Sequence, residues 1–178
     1  MSAFNMLVVL GSTASGKTKL AVALAQMLNG EIISADSRQV YRGLDIGSGK
    51  DLDEYQDIKH HLIDIVDPGY EYNIFDFQQN VIDAYQEITN KNKLAIMAGG
   101  SALYVDSILK GYRLIEVPEN IALRSSLATL SHDDLVNKLQ QLKPNLHNTT
   151  DLIDHDRLVR AIEIAQGEHD AQGSHNDF

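Results

Sequence analysis

Short apolar runs alternate with longer stretches of helical periodicity over the first hundred residues. The apolar runs predict buried strands at Leu7–Leu10, Glu31–Ala35, Leu62–Val66 and Leu94–Ala98. Helices are predicted at Lys19–Leu28 and from about Asn73 to Asn90, the second with Asn73 as its N-cap and an apolar stripe of Phe77, Val81, Ile82, Tyr85 and Ile88. Strands that alternate with helices in this way predict an α/β fold with a parallel sheet and helices on both faces.

Beyond Tyr112 the pattern changes to short amphipathic helices. Residues 122–127 and 135–142 each carry such a pattern, and Ser131 between them is a candidate N-cap. A last helix is predicted from an Asp154 cap to Gly167, the residue expected to end it. The remaining residues, 168–178, are mostly polar.

The residues between the first strand and the first helix predict a binding site for a di- or triphosphate. They match the pattern G-x-x-x-x-G-K-[ST] completely, as Gly11, Ser12, Thr13, Ala14, Ser15, Gly16, Lys17 and Thr18. The glycines let backbone N–H groups point at an anion, and the N-terminus of the helix adds its positive end. Lys17 would neutralise phosphate charge, and the Thr18 hydroxyl would ligate Mg²⁺. A chance glycine- and serine-rich turn is disfavoured, because a strand precedes the motif and a helix follows it.

Two further segments accompany this loop. Asp36-Ser37-Arg38-Gln39-Val40-Tyr41 follows the second strand, and Gly99-Gly100-Ser101-Ala102-Leu103-Tyr104 follows the strand at 94–98. With the loop, they resemble the tRNA dimethylallyltransferase family over about residues 6–167. The resemblance implies a P-loop NTPase-like three-layer fold with a mostly parallel sheet and a small helical insertion. It implies a core domain at 1–112, the insertion at 113–150, and a returning helix with a polar tail at 151–178.

The same resemblance implies transfer of a prenyl group from dimethylallyl diphosphate, with Mg²⁺, to the exocyclic amine of adenine. The acceptor would be a tRNA beside its anticodon or an adenine nucleotide. Asp36 would accept the proton of the amine, with an N-cap or an outer position around Mg²⁺ as its alternatives. Ser101 would bond the diphosphate, with helix capping as the alternative.

Substrate contacts are expected from the polar loop and from the last helix. Ser37 and Gln39 would by resemblance hold the adenine, and Tyr41 would assist by stacking or hydrogen bonding. Arg157 and Arg160 lie three apart on one helix face, where they would reach a phosphate or form surface salt bridges. His60 and His61 are adjacent on an extended segment and point to opposite faces, which disfavours a shared metal ion.

The sequence also departs from the family pattern. Gly11-Ser12-Thr13 stands where Gly-Pro-Thr is typical, and Gly47-Ser48-Gly49-Lys50-Asp51 replaces Gly-Thr-Ala-Lys-Pro. Ser101 replaces a threonine, which retains the hydroxyl and loses the methyl group that stiffens its rotamer. Family members continue well beyond the helix of Arg157 and Arg160, so the chain resembles a short or C-terminally truncated member.

Composition limits the classes of partner. The 178 residues contain no cysteine, which excludes disulfides and thiolate metal sites, and no stretch has the length of a membrane span or the order of a signal peptide. A cytoplasmic protein is therefore expected. Fifteen lysines and arginines against 25 acidic residues give a net charge of −10, which predicts weak unaided binding of tRNA, although a local basic patch from Lys17, Arg38 and Arg42 remains open. Composition leaves the oligomeric state open.

Three functions are compatible with the sequence alone. The first is the prenyl transfer described above. The second is a small P-loop kinase that uses Asp36 as the base for a hydroxyl, which is disfavoured because the segment 112–150 holds just Arg113 and Arg124 for a lid. The third is a degenerate paralogue that binds a nucleotide or diphosphate without turnover.

Overall fold

The computed structural model describes residues 5–144 and 152–173, with side chains through residue 171. The chain divides into two compact units, Met1–Leu114 and Ile115–Phe178. The last helix belongs to the second unit, together with the two short helices at residues 121–127 and 132–142. The predicted boundary at residue 150 and the end of the polar tail lie outside the described residues, so the three-part division stays a prediction. Over the described ranges, no helix is long and apolar enough to cross a membrane.

The first unit is built on a four-stranded sheet. Its strands are β1 (Met6–Leu10), β2 (Gly30–Ala35), β3 (His60–His61) and β4 (Leu94–Gly99). They run parallel in the order β1-β4-β2-β3. The connecting helices are α1 (Lys17–Leu28), a 3-10 helix at Leu52–Tyr55, α2 (Ile74–Asn90) and α3 (Ala102–Leu109).

Alternate residues of the central strands face two separate cores. Ile33 and Met97 pack on one face with Phe77 of α2, whereas Ile32 and Ile96 pack on the other with Val22 of α1. All six side chains are at most 4% exposed. Successive side chains of a strand point to opposite faces, so both faces must be covered by helices. The predicted three-layer α/β fold with a parallel sheet is confirmed.

Most predicted elements are found, with two corrections. The strand predicted at Leu62–Val66 is wrong: the pairing with β2 ends at His61, because Leu62 and Asp64 adopt left-handed backbone conformations with φ of 64° and 56°. The predicted end of the last helix at Gly167 is also wrong, since that helix continues to Gly173. Asn73 caps α2 as expected, accepting hydrogen bonds from the N–H groups of Phe75 and Asp76.

The second unit contains three helices around their own core. They are α4 (Ile121–Leu127), α5 (His132–Leu142) and α6 (His155–Gly173). Leu127, Leu135 and Leu158 are central to this core, and each is at most 1% exposed. Ser131 caps α5 and Asp154 accepts a hydrogen bond from the Arg157 N–H, as the sequence predicts.

The register of the sheet brings three loops to one edge. Leu10, Gly99 and Ala35 are aligned as the last residues of β1, β4 and β2. A Cβ atom on Gly99 would lie 2.2 Å from the carbonyl oxygen of Ala35, so glycine is required for this close approach. The phosphate loop, Asp36 and Ser101 therefore leave the sheet side by side.

At the start of β2, a buried glutamate joins the sheet to the end of α2. The Glu31 carboxylate, which is 2% exposed, is bonded by His61 at 2.8 Å, by Lys93 at 3.0 Å and by Lys91 at 3.3 Å. Burial alone would raise the pKa of Glu31, but the hydrogen bonds from His61, Lys93 and Lys91 lower it from 4.5 to about 2. The charged carboxylate thus stabilises the folded unit.

We expect Glu31→Gln to lower the free energy of unfolding of the first unit by about 1–3 kcal/mol at neutral pH. Because the folded pKa lies below the unfolded pKa, this contribution is fully present above pH 4.5 and is lost as the pH falls toward 2. All seven tyrosines lie between Tyr41 and Tyr112, so tyrosine fluorescence during urea unfolding reports on this unit. Glu71→Gln is the control, because Glu71 is an exposed residue of the same unit and forms no ion pair with a described residue. A difference between wild type and Glu31→Gln that is equal at pH 7 and pH 3 would contradict the assignment.

Candidate active site

The phosphate loop connects β1 directly to α1. Ala14 and Gly16 adopt positive φ values of 59° and 81°, which turn the chain sharply before the helix begins at Lys17. The Lys17 ammonium donates to the carbonyl oxygen of Ser12, across the mouth of the loop. A cation and the first turn of a helix therefore face the same space, the arrangement that binds phosphate groups in such loops.

The glycine segment after β4 lies against this loop. A Cβ atom on Gly100 would be 3.9 Å from the Lys17 Nζ and 3.5 Å from the carbonyl oxygen of Gly11. The absence of side chains at Gly99 and Gly100 thus lets the end of β4 approach both the phosphate loop and the end of β2. The glycine segment after β4 and the phosphate loop therefore lie side by side.

Asp36 and Ser101 stand at neighbouring strand ends. Asp36 directly follows β2, and its Oδ1 accepts a hydrogen bond of 2.9 Å from the Arg38 N–H, which turns the carboxylate back over its own loop. The Ser101 Oγ accepts a hydrogen bond of 3.1 Å from the Ser37 N–H. Ser101 occupies the N-cap position of α3, yet its side chain makes no capping bond. Its hydroxyl links two loops of the site, and its proton remains available to a ligand.

Tyr55 is a site residue that the sequence analysis missed. It is 5% exposed at the end of the 3-10 helix, packs beside α1, and its ring centroid lies 4.6 Å from that of His60. Burial and the charge of Asp36 raise the pKa of Tyr55 to about 12, whereas a hydrogen bond from Thr18 acts in the opposite direction. The signal was weak, since one tyrosine in an acidic stretch has no motif.

The loop from residue 39 to 50 is fastened by polar side chains. The Gln39 amide accepts from the Ser34 Oγ at 2.9 Å and donates to the Gly49 carbonyl at 3.2 Å. The Lys50 ammonium is fully buried and donates to the Tyr41 carbonyl and to the carboxylates of Asp45 and Asp64. Burial would lower the pKa of Lys50, but these two carboxylates raise it overall. Gln39 therefore has a structural task in addition to its predicted contact with substrate.

A cavity opens beside the phosphate loop. It has a volume of about 750 Å³ and lies between Thr13 and the segment 45–53. This volume is within the range of small-molecule sites. Lys50 and its partner Asp45 both line this cavity, so the ion pair between them helps to fix its shape.

The two predicted arginines of the last helix belong to the second unit. The Arg160 guanidinium donates to the Glu163 carboxylate at 3.1 Å and to the Val117 carbonyl at 2.8 Å. Glu163 also accepts from Arg124 and from the Asn120 N–H, and these bonds lower its pKa to about 2 against the effect of burial. Arg160 thus has an internal ion pair, whereas the exposed Arg157 forms none with a described residue. Their predicted contacts with substrate stay predictions.

One group of side chains outside this edge has the spacing of metal ligands. Oxygen and nitrogen atoms of Glu31, His61 and Glu87 lie within 4.8 Å of one another. Lys59, Lys91 and Lys93 already neutralise these carboxylates, which disfavours a cation there. His60, in contrast, packs against Tyr55, so the two adjacent histidines have separate partners, as expected.

Comparison with known proteins identifies the family. Residues 39–176 match the family model described as IPP transferase. The chain is 61% identical over 165 residues to tRNA dimethylallyltransferase 1 of Geotalea daltonii, covering 93% of this chain and 54% of the relative. It is 57% identical over 164 residues to tRNA dimethylallyltransferase 2 of Syntrophotalea carbinolica, covering 92% of this chain and 55% of the relative. The chain thus spans about half the length of these relatives.

Solved structures agree with this relation. The tRNA isopentenylpyrophosphate transferase of Bacillus halodurans matches with a TM-score of 0.62 and 34% identity, over 92% of this chain and 56% of that one. A eukaryotic dimethylallyltransferase, studied while acting on tRNA, matches with a TM-score of 0.78 and 27% identity, over 98% of this chain and 45% of that one. The family model alone covers most of the residues, and the predicted resemblance is confirmed. The chain belongs to the IPP transferase family.

Proposed function

We propose that this chain carries the donor site and the catalytic base of a tRNA dimethylallyltransferase. In this reaction a dimethylallyl group moves from dimethylallyl diphosphate to the exocyclic amine of adenine in tRNA. The observation that supports it most directly is the convergence of the phosphate loop, Asp36 and Ser101 at one edge of the sheet. A diphosphate site and a carboxylate are the two groups that this transfer requires.

The phosphate loop would hold the diphosphate of the donor. Its backbone N–H groups, the Lys17 ammonium and the start of α1 stabilise the negative charge that accumulates on the leaving group. The Ser101 hydroxyl is held by the Ser37 N–H and would donate its proton to the same diphosphate. These donors are in place before the substrate arrives, so little reorganisation is needed when the carbon–oxygen bond breaks.

Asp36 would act on the acceptor. The amine nitrogen forms a bond to the first carbon of the dimethylallyl group, the bond from that carbon to the diphosphate oxygen breaks, and diphosphate leaves with the electron pair. The nitrogen then loses one proton, which the Asp36 carboxylate accepts. Oδ1 of Asp36 already accepts the Arg38 N–H, so Oδ2 is the oxygen left for this proton.

Magnesium fits the donor set of the site. Mg²⁺ binds oxygen atoms, commonly one or two from the protein and the rest from phosphates and water. Thr18 lies in the first turn of α1, at the position whose hydroxyl ligates Mg²⁺ in loops of this pattern. When bound, the ion would supply positive charge to the diphosphate. Asp36 and Lys17 would retain the roles described above.

The choice of tRNA as acceptor rests on the relatives. Both the bacterial relatives and the eukaryotic structure carry tRNA in their names, and neither the kinase nor the degenerate paralogue is favoured by this family relation. The kinase alternative also lacks the arginine-rich lid that it requires: Arg124 is bound to Glu163 and Glu119. A cytoplasmic location agrees with a tRNA substrate and is part of this proposal.

We expect Lys17→Ala to weaken binding of dimethylallyl diphosphate by about 10- to 100-fold, the usual value of a hydrogen bond to a charged group. The loop would keep its backbone donors but lose its cation. Isothermal titration calorimetry with the diphosphate ester, in the presence of Mg²⁺, measures this. Lys19→Ala removes an exposed lysine two residues further along α1 and should leave the affinity unchanged. Equal affinities of wild type and Lys17→Ala would show that the donor binds elsewhere.

We expect Asp36→Asn to lower turnover by a factor on the order of 10² to 10⁴ while the donor binds as before. The asparagine amide oxygen still accepts the Arg38 N–H, so the loop is retained, but the side chain accepts no proton. Incorporation of labelled dimethylallyl groups into unmodified tRNA measures turnover, and Asp57→Asn at an exposed position is the control. If donor affinity falls with turnover and the Mg²⁺ requirement changes, Asp36 is a metal-associated residue and not the base.

A further inference from the structure

Tyr104 is held rigidly next to the proposed active site. It lies on α3, one helical turn after Ser101, and is 8% exposed. Its ring stacks on Phe77 with centroids 4.3 Å apart and meets Tyr72 edge to face at 6.4 Å. Aromatic contacts on two sides fix the direction in which the hydroxyl points.

The Tyr104 hydroxyl has no hydrogen-bond partner among the described residues. The neighbouring Tyr72 differs, because its hydroxyl accepts from the Asn80 amide at 3.1 Å. In the same ranges, His60 Nδ1 is the unpartnered side-chain polar atom that is completely sealed from solvent. The Tyr104 hydroxyl therefore remains accessible on one side. Buried tyrosine hydroxyls normally find a partner, so an accessible and unpaired one is suited to a ligand.

Tyr104 belongs to the helix that starts directly after Ser101, and the Ser101 Oγ accepts from the N–H of Ser37, the residue next to Asp36. Tyr41 and the carboxylates of Asp36 and Asp76 are the electrostatic neighbours of the Tyr104 hydroxyl. Burial and these groups raise the pKa of Tyr104 to about 12, so the hydroxyl keeps its proton at neutral pH and acts as a donor. Asp76 is already engaged with the Asn73 N–H and the Tyr70 hydroxyl, which leaves Asp36 as the functional neighbour.

We propose that the Tyr104 hydroxyl donates a hydrogen bond to a ring nitrogen beside the exocyclic amine of the acceptor adenine. This inference rests on the proposed function and deepens it, because it assigns a residue that selects the base. Asp36 accepts a hydrogen from the amine, and Tyr104 donates to the neighbouring nitrogen, which is N1 on one edge of adenine and N7 on the other.

This pair of groups would discriminate by chemistry as well as by shape. Guanine and uracil present a carbonyl oxygen where adenine has its amine, so the Asp36 carboxylate would face an acceptor instead of a donor. On its N1 edge guanine also presents an N–H to the Tyr104 hydroxyl. A buried pair without matching partners is costly, so these two groups would disfavour guanine and uracil as acceptors.

The test uses Tyr104→Phe with an RNA anticodon stem-loop whose acceptor is adenosine, 1-deazaadenosine or 7-deazaadenosine. Phenylalanine keeps the stacking on Phe77 and breaks no internal hydrogen bond, so the folded unit is retained. We expect kcat/KM for the adenosine RNA to fall by about 5- to 30-fold with an unchanged KM for dimethylallyl diphosphate. Wild type should show the same loss with one of the two deaza acceptors, and Tyr104→Phe should show no additional loss with that acceptor.

Tyr72→Phe is the matched control, since it removes a neighbouring tyrosine hydroxyl that is bonded to Asn80. It should leave the discrimination between adenosine and the deaza acceptors as in wild type. If Tyr104→Phe loses the same factor with all three acceptors, or none with adenosine, the inference is overturned.

Equilibrium binding of the three RNAs, with donor analogue present, separates this inference from the proposed function. Suppose that wild type binds adenosine RNA more tightly than one deaza RNA and that Tyr104→Phe removes this difference. This result supports the Tyr104 contact even if no turnover is found. Turnover by wild type with no effect of Tyr104→Phe supports the proposed function and overturns the contact. Absence of both turnover and binding overturns both.

Discussion

The close approach of three backbone segments at the carboxyl edge of the sheet is the constraint on which the site depends. Gly99 pairs with Leu10 on one side and Ala35 on the other, and any side chain at Gly99 would collide with the Ala35 carbonyl. Because the strands are parallel, the residues after them leave the sheet on the same side. The phosphate loop, Asp36 and Ser101 are consequently brought together by the backbone, before any of their side chains interact.

Much of this arrangement was predictable from the sequence, because it depends on local patterns. Residues close together in the chain encode the motif from Gly11 to Thr18 and the helix capped by Asn73. They also encode β2, in which successive side chains face opposite sides of the sheet. The failures occur where the tertiary structure overrides a local preference. Leu62 and Ile63 are buried, as a strand would be, but the left-handed conformations of Leu62 and Asp64 orient Asp64 toward the Lys50 ammonium. Apolar composition alone contains no information about that turn.

The side-chain contacts of the site were less predictable for the same reason. Lys50 lies 14 positions from its partner Asp64, Tyr55 is distant in the chain from the residues of α1 that it packs with, and no motif marks either contact. Gln39 was predicted to contact substrate, and its amide is found between Ser34 and Gly49. Such residues support the functional groups through the packed structure, which a single sequence does not display.

The distribution of charge helps to explain how an acidic chain could attract a polyanionic substrate. Lys59, Lys91 and Lys93 are bound to Glu31 and Glu87 at the opposite end of the sheet, whereas Lys17 and Arg38 form no ion pair with any described residue. These free cations follow β1 and β2, at the edge where the phosphate loop lies. Paired charges contribute little field at a distance, but unpaired ones do. The net charge of −10 therefore understates the attraction for phosphate at this edge. The small number of free cations still limits how many phosphates of an RNA the first unit can neutralise.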